Sequence, residues 1–360
     1  MSADSIKVLK NPQFDKSKWL QMPRDIIIGH DAVEQLPDVC RDLHIGRSAL
    51  IISGEHTMKA AGARVLDLIS ESGCNTEVFM SESISIDSIN EAQEAAKSHD
   101  FIIGVGGGRV IDLAKVVSYN LDQHFISVPT AASHDGIASS RASVSTEKGA
   151  VSLDAQPPSA IIADTGIIAK APFRLMASGC ADIISNRTAI LDWELSHRLR
   201  GEAISEYAAS LSAMTADILV RNAGLIKPGS EEAAWIVTKA LVSSGVAMSI
   251  AGSSRPASGG EHKFSHALDI LAPGKGLHGE QCGIGSIMTM YLHGGDWRGL
   301  RSSLKAIGAP VTPAKIGIED ETAVEALMMA KKIRPERFTI LDAGMERECA
   351  EKLVAMLYNE

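Results

Sequence analysis

Short hydrophobic runs alternate with segments of helical repeat through the first half of the chain. Residues 26–28 are a β-branched run ending at Gly29, and Asp31 stands where it would cap a following helix. The stretch SALIIS, Ser48–Ser53, has the continuous apolar character of a parallel strand covered on both faces, and a helix is expected over 57–72. A strand at 76–80 and a helix over 87–98 follow, with Ile86, Ile89, Ala92 and Ala96 on one helical face. Residues 101–105 predict a central strand and 125–129 its neighbour, with a helix running through Tyr119 between them. Strands separated by helices of this length imply right-handed parallel crossovers, hence a Rossmann-like sheet.

The alternation stops after Asp164. Pro172 opens a series of helical segments, expected over 171–200, 202–222, 231–252 and, at the C-terminal end, 346–358. The expected architecture is α/β, with an N-terminal Rossmann-like parallel-sheet domain over 1–170 and an all-helical domain over 171–360. The cleft between the two is where a ligand would bind.

Composition narrows the function. A chain of 360 residues exceeds what one core usually holds, and 45% hydrophobic with 22% charged residues is ordinary for a globular protein. A formal net charge of −9 argues against nucleic acid or anionic membrane as partners. MSADSIKVLK has no apolar signal core, and the near-apolar stretch 240–252 falls short of the roughly 20 residues that span a bilayer. A cytoplasmic protein without membrane insertion is expected. The five cysteines are scattered with no CxxC pair and read as small buried hydrophobes.

Two loops carry candidate cofactor chemistry. Gly106, Gly107 and Gly108 leave the strand at 101–105, with Arg109, Val110, Ile111 and Asp112 entering the next helix. Consecutive glycines let a pyrophosphate approach the backbone, with the helix N-terminus aimed at it. The spacing is not GxGxxG, so the usual dinucleotide fingerprint is absent. Asp112 in the first helical turn also reads as a charge that favours the helix dipole. The second loop, Pro129-Thr130-Ala131-Ala132-Ser133-His134-Asp135-Gly136, leaves the carboxyl end of another strand, the edge where ligands sit in open α/β sheets.

A histidine–carboxylate set carries the strongest signal. Glu261-His262-Lys263-Phe264-Ser265-His266 is followed by Leu277-His278-Gly279-Glu280, so three of the 11 histidines fall within 17 residues. His262 and His266 share one helical face, and Pro273, Gly274 and Gly276 form a turn that can return His278 to them. Three protein ligands and an open position are what a catalytic divalent metal needs. Asp182 is the best candidate carboxylate, because it stands mid-helix among apolar residues where an unpaired charge is costly.

Taken in order, GVGGGRVID, PTAASHDG, GCADIISN, EHKFSHAL and LHGEQ resemble the superfamily of glycerol dehydrogenases, iron-type alcohol dehydrogenases and 3-dehydroquinate synthases. Within it the likeness is greatest to the archaeal glycerol-1-phosphate dehydrogenase family, and it runs from about Pro23 to the C-terminal helices. The resemblance implies a dehydroquinate synthase-like fold in which Gly106 to Asp112 bind the pyrophosphate of NAD or NADP. It also implies that Thr130, Ala131, Ala132, Ser133 and Ser139 line the cofactor. Asp182, His262 and His278 would hold one divalent ion per subunit, usually zinc. Asp135 and His266 would be the catalytic pair, and with Asp182 would contact substrate. The glycerol dehydrogenase pattern places its second histidine differently, which keeps His266 as the alternative ligand to His262. Ala181 stands where the resemblance leads one to expect glycine.

The activity so implied is reversible, NAD(P)H- and zinc-dependent reduction of dihydroxyacetone phosphate to sn-glycerol 1-phosphate, the backbone of archaeal-type membrane phospholipids. Lys263, Arg187 and Arg255 stand near the metal motifs in sequence and are the candidate partners of the substrate phosphate. Glu55 could hold a ribose hydroxyl and His56 or Lys59 tolerate a 2′-phosphate, so use of both cofactors is expected. A homo-oligomer is expected on general grounds. The competing readings are a polyol dehydrogenase on an unphosphorylated substrate, a dehydroquinate synthase-like lyase and a non-catalytic nucleotide-binding protein.

Overall fold

The computed structural model describes residues 20–81, 83–146 and 149–358. The segment MSADSIKVLK lies outside them. Strands β1 (Asp25–Gly29), β2 (Ser48–Ser53), β3 (Asn75–Met80), β4 (Phe101–Gly106), β5 (His124–Pro129) and β8 (Ala160–Asp164) form one parallel sheet in the order β1-β8-β5-β4-β2-β3. An antiparallel hairpin, β6 (Arg141–Thr146) and β7 (Gly149–Asp154), stands apart. The helices over this part are α1 (Leu36–Leu43), α2 (Glu55–Thr57), α3 (Ala63–Glu71), α4 (Ile86–Ala96), α5 (Gly108–Leu121) and α6 (Thr165–Lys170).

The sheet is covered on both faces, as the continuous apolar strands require. Ile51, Ile103 and Val105 pack beneath α1 and α3, while Leu50, Ile52 and Ile102 pack on the opposite face against α4 and α5. The chain runs outward from β2 to β3 and then crosses back to β4 on the other side of β2, so the strand order reverses there. Ligands of open α/β sheets bind outside the carboxyl ends of the strands at such a point. Here those ends are Ser53-Gly54 and the glycine loop.

Beyond the sheet the chain is helical: α7 (Phe173–Arg200), α8 (Glu206–Arg221), α9 (Glu231–Ala251), α10 (Gly260–Leu271), α11 (His278–Leu292), α12 (Trp297–Ile307), α13 (Asp320–Met329) and α14 (Arg347–Met356). α7, α9, α10 and α11 are buried on nearly all sides, so their sequences show no polar stripe. α9 has the length and hydropathy to cross a membrane, but most of its apolar window is buried against its neighbours. The helical core takes in Ile161 and Ala163 of β8 and Ile137 and Ala138 of the loop after β5, so its packing continues onto the sheet.

Several sequence expectations are corrected. Asp31 adopts a left-handed conformation (φ 52°) and makes no side-chain cap; Asp164 does that work at the sheet edge. Asp164 Oδ1 accepts from the N–H groups of Gly166 and Ile167 at the start of α6, and its Oδ2 accepts from Val33 N at 3.3 Å. Ile86, expected on the buried face of α4, is 62% exposed because it occupies the first helical position, ahead of the packed turn begun by Ile89. The segment expected as one helix over 57–72 is built from α2, a π-turn at Met58–Gly62 and α3.

Candidate active site

The glycine loop meets the expectation of close approach. A Cβ on Gly108 would fall 1.7 Å from His134 Nε2, so the imidazole rests on the backbone that opens α5. Burial holds the His134 pKa down at about 4, and its Nδ1 accepts from Gly136 N at 2.9 Å. A neutral ring therefore lies between the two loops, with Nε2 as its protonated atom. Below it Lys115 is fully buried. Its ammonium donates to Asp112 Oδ1 (3.0 Å), to Gly136 O (2.6 Å) and to Arg141 O (2.6 Å). Asp112 Oδ2 in turn accepts from Ser143 N at 2.9 Å, which ties the hairpin to α5. Asp112 is thus half of a buried ion pair and not a helix-end charge. Nothing in the sequence reading singled out Lys115, although its spacing of three from Asp112 on a helix was available.

The metal candidates come from three helices. Asp182 stands in the middle of α7, His262 in the first turn of α10, and His278 begins α11. Asp182 Oδ1 lies 3.7 Å from His262 Nε2 and 3.8 Å from His278 Nε2. With Cys282 Sγ, one donor atom from each residue falls within 4.8 Å of the others. Close helix contact makes this convergence possible. A Cβ on Gly279 would sit 2.0 Å from Ser178 O, and one on Gly179 2.2 Å from Ala132 O.

Both imidazoles are oriented from behind. His262 Nδ1 lies 2.9 Å from Glu261 Oε1, a fully buried carboxylate that also accepts from Gly259 N and Thr188 Oγ1. Ser265 Oγ donates to Gln281 Oε1 at 2.6 Å and so accepts from His278 Nδ1 at 3.2 Å. Each ring is left with the Nε2 lone pair turned toward Asp182, the tautomer that metal-binding histidines need. Asp182 itself is buried with its pKa raised to about 7, first by desolvation. Its Oδ2 accepts from Asp135 N at 3.2 Å, and no cation pairs with it among the described residues. A buried carboxylate and two inward-facing imidazole nitrogens suit a divalent metal. Cys282 departs from that pattern, since burial pushes its thiol pKa well up and away from the thiolate a ligand requires.

The remaining predicted residues surround this cluster. Asp135 Oδ2 accepts from Ser244 Oγ at 2.9 Å, and burial followed by the Asp182 charge raises its pKa to about 7. His266 lies on the same face of α10 as His262, with ring centroids 6.5 Å apart, and 6.0 Å from His278. It is outside the group of converging donors. Its buried Nδ1 has no hydrogen-bond partner, since Asp269 Oδ2 at 3.9 Å is too far.

One cleft of about 1120 Å³ joins these features. It runs from Gly54, Thr57 and Ser81 past Gly107, Gly108, Arg109, Val110 and Asp112 to Asp135, His262, His266 and His278. Thr130, Ala131, Ser133 and Ser139 also line it, whereas Gly106, Ile111 and Ala132 lie in the layer behind. His56 and Lys59 face the cleft at its sheet end; Glu55 is exposed and pairs with Lys59 at 2.7 Å. The three cations expected to meet a phosphate do not reach the cleft. Lys263, one residue from His262, is turned about 100° around the helix and is buried against Asp342 at 2.8 Å. Arg187 pairs with Asp217 at 2.8 Å, and Arg255 donates to Glu202 and to Phe338 O.

A nucleotide-sized cleft at the sheet edge, opening onto a histidine–carboxylate cluster in a helical region, defines a nicotinamide-linked dehydrogenase with a potential metal site. The family model for iron-containing alcohol dehydrogenase matches residues 27–172. Over the whole length, the chain is 68% identical to glycerol-1-phosphate dehydrogenase (NAD(P)+) of Methanoregula boonei, covering 99% of both chains. It is also 68% identical to the protein of the same name in Methanoculleus marisnigri, covering all of both. The chain belongs to the family of NAD(P)-dependent glycerol-1-phosphate dehydrogenases. In fold it is similar to a probable glycerol dehydrogenase from Sinorhizobium meliloti, with TM-score 0.77, 19% identity, and 95% and 98% of the two chains covered. Glycerol dehydrogenase from Schizosaccharomyces pombe gives TM-score 0.79 at 19% identity, covering 95% of this chain and 90% of that one.

Proposed function

We propose that this protein interconverts dihydroxyacetone phosphate and sn-glycerol 1-phosphate with NADH or NADPH, using one zinc ion per subunit. The observation that carries the reading is the pair of Nε2 atoms converging on buried Asp182 at the inner end of the cofactor cleft. The identity of the relatives supplies the substrate.

In this reading Gly107, Gly108 and the N–H groups that open α5 receive the pyrophosphate, and His134 fixes the depth to which it can sink. Thr130, Ala131, Ser133 and Ser139 wall the nicotinamide side of the cleft. Asp182, His262 and His278 would hold the metal, whose contribution when bound is to polarise the substrate carbonyl. The reduced nicotinamide supplies the hydride. Asp135, half-buried and steadied by Ser244, receives a hydroxyl hydrogen of the substrate. His266, which lines the cleft beside His262 and His278, exchanges a proton with the reacting oxygen. Burial depresses the His266 pKa, which keeps the ring neutral and able to act in both directions. The cytoplasmic location, the homo-oligomeric state and the supply of phospholipid backbones belong to the same reading.

The test follows the absorbance of reduced nicotinamide with dihydroxyacetone phosphate, before and after chelation, and after re-addition of zinc or of ferrous iron. A glycerol-3-phosphate dehydrogenase of known stereochemistry then reports on the product. Turnover restored best by zinc, with a product the second enzyme refuses, is the expected result. Activity on glycerol or dihydroxyacetone without activity on the phosphate would overturn the substrate assignment, and fuller recovery with iron would overturn zinc.

A further inference from the structure

The phosphate of the proposed substrate has no partner in the cations named from sequence, and the cleft offers another. Arg334 lines it, mostly buried, in the turn that follows α13. Its backbone is left-handed (φ 46°), and Pro335 follows it. A non-glycine residue in that region is uncommon, and a following proline pushes its predecessor toward extended backbone, so the conformation is held by its surroundings at a cost. Such strain, when it aims a side chain into a cleft, points to function.

The charge is as unusual as the backbone. The Arg334 guanidinium makes no hydrogen bond or ion pair among the described residues, its carbonyl alone accepting from Arg337 N at 2.9 Å, and Glu336 is the carboxylate that acts on it. Around it stand cations rather than anions. Its field acts on His262, His266, Arg141 and Arg337, and burial with that repulsion lowers the Arg337 pKa to about 9. Arg337 is held by Ser258 O at 2.8 Å and Ser254 Oγ at 2.9 Å, at the loop that leads into α10. Arg141 comes from β6 opposite and pairs with Asp154. Two of these guanidiniums, Arg334 from the turn at 334–337 and Arg141 from β6, thus line the cleft, with Arg337 beside Arg334 in the same turn. Like charges gathered in a partly desolvated place are repaid by a multiply charged anion, and guanidinium is the group best shaped to bind phosphate in pairs of hydrogen bonds.

We infer that Arg334, backed by Arg337 and facing Arg141, is the residue that binds the substrate's phosphate and selects phosphorylated over unphosphorylated ketones. The inference rests on the proposed dihydroxyacetone phosphate reading. The nucleotide's own phosphates are accounted for elsewhere, the pyrophosphate at the glycine loop and any 2′-phosphate near His56 and Lys59.

Arg334→Gly and Arg334→Gln test it together. Glycine accepts a left-handed φ, so Arg334→Gly removes the guanidinium while relieving the backbone, and its melting temperature should equal or exceed the parent's. In both variants kcat/KM for dihydroxyacetone phosphate should fall on the order of a hundredfold, the scale of losing one partner of a desolvated charge pair. Competitive inhibition by inorganic phosphate against that substrate should disappear, while the KM values for NADH and NADPH stay near the parent's. A parent enzyme inactive on dihydroxyacetone phosphate would sink the proposed function itself. An active parent with Arg334→Gly variants that keep both substrate KM and phosphate inhibition would overturn the role of Arg334 alone. A rise confined to the KM for NADPH would overturn it in favour of a cofactor contact.

Discussion

Two buried charged clusters lie on either side of the loop that follows β5, and they are built on opposite principles. On the sheet side, Lys115 and Asp112 satisfy each other and three backbone groups, so the pair locks α5, the second loop and the hairpin together. On the helical side, Asp182 faces two imidazole lone pairs and receives one backbone N–H, with no compensating cation among the described residues. A closed cluster stabilises the fold; an open one of equal burial stores a demand that only a ligand meets. The comparison teaches that burial of charge does not identify a site until its partners are accounted for.

Asp182→Asn should give the largest effect. It removes the one anionic donor, and turnover should fall roughly a thousandfold, several kcal/mol of transition-state stabilisation. The metal-free variant should melt no lower than the metal-free parent, because a buried charge has been removed. Steady-state kinetics, metal analysis and calorimetry read the two halves. A variant that keeps stoichiometric metal would break the assignment of Asp182.

Lys115→Met makes the opposite cut. It leaves Asp112 buried and unpaired and should destabilise the protein by about 3–5 kcal/mol, visible in denaturant unfolding. Pairing it with Asp112→Asn should restore part of the loss. If the single variant melts like the parent, the cluster is not the lock described.

Most of the sheet was readable in the sequence and the hairpin was not. β2, β4 and β5 are largely apolar runs that end at glycine or proline, with Ser127 the one polar residue inside them, so little but a buried strand fits them. Residues 141–154 alternate small and polar residues, with Ala142 and Val144 the inward members, which gave too weak a period to register. The site divides in the same way. Glycines and histidines announce themselves by type and spacing, so both loops and the pair His262 and His278 stood out. Lys115 and Arg334 owe their roles to what surrounds them in space, and Lys263, Arg187 and Arg255 were drawn in only by nearness along the chain.

Glu261→Gln sharpens the comparison at the open cluster. It weakens the acceptor that fixes His262 Nδ1, so metal affinity should drop about 10–100-fold with little change in the chemical step once the site is saturated. Metal titration of the variant separates this from a folding defect.

The pH dependence follows from the same pair of carboxyls. With pKa values raised from 3.8 to about 7, Asp182 and Asp135 hold protons in the metal-free folded state that the unfolded chain has released. Their burial therefore costs stability above about pH 7, and that cost is withdrawn as pH falls from 7 toward 4. His134 and His262 act the other way: their pKa values lie below 6.5, so they cost stability as pH falls below that value. Metal requires Asp182 ionised, so affinity should weaken by up to about tenfold per unit below pH 7, with roughly one proton released on binding. Calorimetry in buffers of different ionisation enthalpy measures that proton. Binding with no proton released near pH 6 would mean Asp182 is already ionised.

The smallest effect is expected where the sequence departs from its resemblance. Ala181 precedes the candidate ligand in place of glycine, and its methyl is fully buried. On α11 opposite, Gly283 lacks the Cβ that would approach the Ala181 Cβ to 3.0 Å. The contact between α7 and α11 thus carries one methyl, that of Ala181, and has no room for a second at Gly283. Ala181→Gly should then cost about 1–2 kcal/mol, from helix propensity and a lost methyl contact, and leave metal affinity at the parent value. Gly283→Ala, which puts a second methyl into the same gap, should cost more and loosen the metal, because it pries apart the helices that carry Asp182 and His278.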